Sequence, residues 1–162
     1  MAGERDIPRE LLRHTLATVA YRGAKAVRGA PAGFALFKAG SSSRTPGQIL
    51  AHVCDLFDWA LLLCQGRHVW TDSEPAAWHA DVARFHETMR ALDAFLASED
   101  PLHVSPERLF QGPIADALTH VGQITLLRRM AGAPVRGENY FKAEIVAGRV
   151  GEDQEGPRLE FG

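Results

Sequence analysis

The stretch DALTHVGQITLLRRMAGAP, residues 116–134, reads as an amphipathic helix that runs into a Gly/Pro stop. Ile124 and Leu127 mark one stripe of it for burial. Asp116 and His120, four residues apart, fall on that same stripe. A carboxylate and an imidazole left unpaired on a core-facing stripe would cost several kcal/mol, so both call for a partner.

Three further segments repeat the helical period. The first begins near Pro8, carries Leu12, Leu16, Val19, Gly23 and Ala26 at spacings of three and four, and ends around Gly29 and Pro31. The second opens at Thr45-Pro46, an N-cap followed by proline, and carries Ile49, His52, Val53, Leu56, Trp59, Ala60 and Leu63. The third spans roughly residues 76–98, with Trp78, Val82, Phe85, Met89, Leu92 and Leu96 as its stripe. The fourth restarts at Gly112-Pro113 after a turn at Ser105-Pro106-Glu107 and runs to about Ala131. Four amphipathic helices without a convincing strand pattern predict an all-α four-helix bundle. Residues 1–135 form it, and residues 136–162 form an irregular C-terminal tail. Within that tail NYFKAEIV reads as a short strand or a packed arm, and the last ten residues read as loosely held.

A chain of 162 residues suits one domain with one sizeable core. It is 46% hydrophobic and 23% charged, with a net charge of -2. That balance gives no reason to expect a nucleic-acid or anionic-membrane partner. No apolar run approaches the ~18 residues that span a bilayer, and MAGERDIPRELL lacks a signal-peptide core. A cytoplasmic location is expected. Cys54 and Cys64 form no CxxC and are expected to be free, reduced and mostly buried.

Residues four apart on a helix lie about 6 Å apart along its axis, so Asp116 and His120 can point at one small object. His52 is the best third member, since it shares a stripe with Leu56, Trp59 and Leu63. Taken alone, His52 is more often a hydrogen-bonded core residue, and Asp116 could merely orient His120. Taken together, two histidines and a carboxylate make a recurrent open metal set with coordination positions left for water or substrate. Gln123, three after His120, could orient a metal-bound water or be an ordinary polar residue. His79 and His86 lie two turns apart, too far for one ion, and are expected at the boundary or in solvent. His14 flanks an apolar stripe, and His68 and His103 lie in loops. A nucleophile site does not assemble: Cys54 faces away from His52, and no GxSxG, P-loop, dinucleotide fingerprint or HExxH occurs.

TPGQILAHVCDLFDW resembles the second-helix motif of the DinB/YfiT-like superfamily, and THVGQITLLRRMAGAPV resembles its fourth-helix motif. The resemblance covers about residues 8–134. It aligns His52 and His120 with two of the family's metal histidines. Asp116 stands where the remaining histidine is usual, and Val121 where an arginine is usual. The resemblance implies a four-helix bundle holding a divalent metal near one end. Zinc or nickel is the usual ion, and iron or manganese suits two histidines with an aspartate. It also implies a metal-dependent, thiol-dependent transferase or hydrolase acting on a small-molecule substrate with a low-molecular-weight thiol, and a homodimer. The alternative is a non-catalytic bundle that holds a metal or small ligand.

Overall fold

Three of the helices open where a short polar side chain stands just ahead of a proline. The computed structural model describes residues 6–162. Asp6 accepts the Arg9 backbone N–H at 3.1 Å and starts α1 (Ile7–Val27). Thr45 and Gln48 exchange side-chain and backbone bonds in a capping box at the head of α2 (Pro46–Cys64). Ser105 accepts from Arg108 at 3.4 Å ahead of the short α4 (Pro106–Leu109). Between these lies α3 (Trp78–Ala97), which starts without a side-chain cap.

The break expected at Gly112-Pro113 is a widening instead. Phe110–Ile114 forms a π-helical turn that joins α4 directly to α5 (Ala115–Met130). Proline has no N–H and its ring collides with the carbonyl four residues back. A wider turn absorbs both effects without ending the helix. It also resets the phase of α5 immediately before Asp116.

The chain is mostly helical. α1 packs on α3 and α5, and α2 packs on the same two. Leu16, Val19, Leu50, Phe57, Phe85, Met89, Leu92 and Ile124 fill the space between them and are buried. α2 corrects one expectation: its 19 residues, with mean hydropathy 1.3, are long and apolar enough to cross a bilayer. Its apolar face is used within the protein, where 61% of that window is buried.

α1 and α3 touch at Gly23, where a Cβ would overlap the ring of Phe85. Phe85 is fully buried and cannot swing away. Alanine would gain about 1 kcal/mol of helix propensity, but overpacking a filled core costs about 1–3 kcal/mol. Gly23→Ala is therefore expected to lower stability, read as a lower urea midpoint. A midpoint equal to or above wild type would show that the interface can part at no cost.

The tail is tied down, contrary to the expectation for its last ten residues. β1 (Gly137–Glu138) pairs antiparallel with β2 (Glu160–Phe161). The strand precedes NYFKAEIV, and Tyr140–Lys142 is a single 3-10 turn. Lys25 from α1 reaches Glu160 at 2.7 Å and Glu138 at 3.5 Å, and the Tyr21 hydroxyl donates to Glu138 at 2.6 Å. The tail also buries Val150, whose carbonyl lies 3.1 Å from His86 Nδ1. His86 is thus buried rather than at the boundary. Burial holds its pKa below the usual histidine value, partly offset by the bond to Val150.

Candidate metal site

His52 on α2 and Asp116 and His120 on α5 converge where these two helices pack. One donor atom from each lies within 4.8 Å of the others. Asp116 sits between the imidazoles: Oδ2 is 3.6 Å from His52 Nε2, and Oδ1 is 3.4 Å from His120 Nε2. The two rings stand edge to face at 4.9 Å between centroids.

A hydrogen bond between nitrogen and oxygen runs about 2.7–3.2 Å, and both pairs are longer. Two ligands each about 2.1 Å from one tetrahedral ion stand about 3.4 Å apart. The 3.4 and 3.6 Å contacts here run to two different carboxylate oxygens, one facing each imidazole, and one donor atom from each residue falls within 4.8 Å of the others.

The expectation that all three residues point into the core needs correction. The buried stripe of α5 is Ala117, Val121, Ile124, Leu127 and Arg128. Asp116 and His120 flank it, since at 100° per residue they fall to one side of the line through Ala117, Val121 and Ile124. The His120, His52 and Asp116 side chains are 12%, 19% and 47% exposed, so the cluster lies at the edge of the core and opens to solvent. An incoming molecule can therefore reach it.

Neighbours fix the imidazoles. Gln123 Oε1 lies 2.7 Å from His120 Nδ1, within hydrogen-bond distance, and this contact leaves the ring's Nε2 edge turned toward Asp116. Gln123 is thus placed to orient the His120 ring. Burial, then the His120 ring, then the Arg44 charge lower the His52 pKa, and Asp116 opposes them. The neutral form, which is the ligating form, is favoured.

Sequence reasoning missed the wall beside His52. The Trp70 ring lies 5.5 Å from the His52 ring and stacks edgewise on Trp59. Its loop is pinned from below: Ser73 donates its backbone N–H and hydroxyl to the buried Asp55, at 2.8 and 2.7 Å. Arg84 bridges Asp55 and Asp58 at 2.7 and 2.6 Å. No periodicity marks a residue such as Trp70, whose place depends on a side chain of another element. The other histidines stay out of the cluster; His68 stacks on Trp59, and His14, His79 and His103 are exposed. Cys54 and Cys64 are free and buried, and burial raises their thiols to about 12 and about 11. Neither is poised as a thiolate.

No family model, curated protein or solved structure matches the chain. Fold and site therefore define its class: a mostly helical protein with a His/Asp/His cluster at the edge of its core.

Proposed function

We propose that the chain is a DinB/YfiT-like four-helix bundle in which His52, Asp116 and His120 hold one divalent cation and leave positions open for a small molecule. The observation that carries this reading is the convergence of one donor atom each from His52, Asp116 and His120 within 4.8 Å of one another. Zinc or nickel suits the two imidazoles, and the carboxylate also admits iron or manganese. Such an ion, when bound, supplies Lewis acidity that favours the thiolate of a low-molecular-weight thiol or the hydroxide form of water. Around it, Asp116 offsets positive charge, Gln123 orients the His120 ring, and Trp70 screens one side of His52. The reaction is a thiol-dependent transfer or a hydrolysis. One observation favours a binding role without turnover: among the described residues, the only polar side chain bonded to the cluster, Gln123, cannot titrate and is already committed to His120.

The test is metal content. Untagged protein loaded with zinc, nickel or manganese and then desalted should retain about one ion per chain. Background levels for every ion would overturn the reading. Gln123→Ala should keep that stoichiometry and weaken affinity by roughly 10- to 100-fold, as loss of a bond that orients a ligating histidine does. Competition with a chromophoric chelator reads the change, and unchanged affinity would remove Gln123 from the site.

A further inference from the structure

Two depressions flank the cluster, and Arg44 lines both. The first, about 200 Å³, is polar; His52, Gln48, Asp72 and Glu74 line it beside Arg44. The second, about 410 Å³, has an apolar floor of Ile49, Leu126, Leu127 and Met130, with His120 and Gln123 at its edge. That volume lies within the range of about 300–1,000 Å³ typical of small-molecule sites.

Arg44 directly precedes the Thr45 capping box, which fixes its backbone. Its guanidinium is exposed and forms no hydrogen bond or ion pair among the described residues. Its charge nonetheless reaches His52. A guanidinium left free beside a cavity offers a planar fork that matches a carboxylate. The two depressions differ in how they receive an anion. Asp72 and Glu74 repel one from the polar side. No acidic residue lines the apolar side, where Arg44 is the only cation.

Resting on the metal-centre reading above, we propose that the ligand of this site is a small amphipathic monocarboxylate. Its apolar body lies on Ile49, Leu126, Leu127 and Met130, its carboxylate is held by Arg44, and it reaches the cluster beside His120. Arg44 is then the residue that selects anionic over neutral substrates.

The experiment uses 4-phenylbutyrate, with 4-phenylbutyramide as its neutral counterpart, titrated calorimetrically into zinc-treated and metal-free full-length protein. The carboxylate should bind at least about tenfold more tightly than the amide, the scale of one charge-assisted pair. Arg44→Ala should abolish that preference, and Arg44→Lys should restore part of it. Met130→Glu, at a half-exposed position on the cavity floor, should weaken the carboxylate and spare the amide. Equal binding of acid and amide by wild type, unchanged preference in Arg44→Ala, or no binding of either probe would overturn the proposal. Metal content, measured on the same samples, separates this from the parent reading. Arg44-dependent binding without bound metal would sink the metal centre and keep the anion site. Bound metal with Arg44-independent binding would do the reverse.

Discussion

His120→Ala is expected to eliminate stoichiometric metal while leaving the fold in place. The change removes one of three donors and leaves His52 and Asp116, whose contact is 3.6 Å. Loss of a donor should exceed the roughly 10- to 100-fold cost of losing an orienting partner. The apo protein should lose about 1 kcal/mol, the scale of one hydrogen bond and a partly buried ring, because the His120 side chain is 12% exposed and bonded to Gln123. The contrast is sharpest in thermal unfolding. An ion present at 1,000 times its Kd stabilises wild type by about 4 kcal/mol, and His120→Ala should show no metal-dependent rise in Tm. If this variant keeps both its metal and its Tm shift, the cluster is not the site. Asp116→His adds a second readout. It exchanges a hard anionic oxygen for a softer neutral nitrogen, so the preference for zinc or nickel over manganese should increase.

The helices were legible from the sequence because each carries two independent local signals. Three- and four-residue spacing of apolar side chains gives the face, and Thr45-Pro46 or Gly132 gives the end. The cluster was legible for a related reason: Asp116 and His120 are neighbours on any helix, whatever packs against it. What stayed hidden depends on contacts distant in sequence. Asp116 and His120 were placed in the core because they share a stripe with Ile124 and Leu127; the buried stripe also takes in Ala117, Val121 and Arg128, which leaves the pair at its edge. His86 looked peripheral because the residue that covers it, Val150, belongs to a segment without periodicity. The closing residues looked loose because the partners of Glu160 are Lys25 and a two-residue strand. Arg44 and Trp70 gave no signal, since a loop residue gains meaning only from what it faces.

Arg128, in the last turn of α5, reaches beyond its own helix. It is 5% exposed and has no acidic partner among the described residues. Its Nε donates to Ala133 O at 2.9 Å, beyond the end of α5. Its Nη1 donates to Ala26 O and Arg28 O at 2.9 Å, and its Nη2 to Gly29 O at 3.3 Å. The last carbonyls of a helix lack intrahelical partners and carry its negative dipole end. One guanidinium therefore closes the C-terminal ends of both α1 and α5. Burial lowers its pKa from the ordinary arginine value, yet the group stays charged at neutral pH. Arg128→Met keeps the length of the stem and deletes every donor. Each hydrogen bond to a charged group contributes about 1.5–3 kcal/mol. Water can reach the freed loop carbonyls of Arg28 and Gly29, so the losses do not add in full. A drop of about 2–4 kcal/mol is expected in urea unfolding. Arg129→Met, one residue on and exposed, should change stability by no more than about 0.5 kcal/mol. Arg128→Lys should recover only part of the loss, since an ammonium cannot span carbonyls from two helix ends. Equal midpoints for Arg128→Met and Arg129→Met would show that α1 and α5 hold together without this clamp.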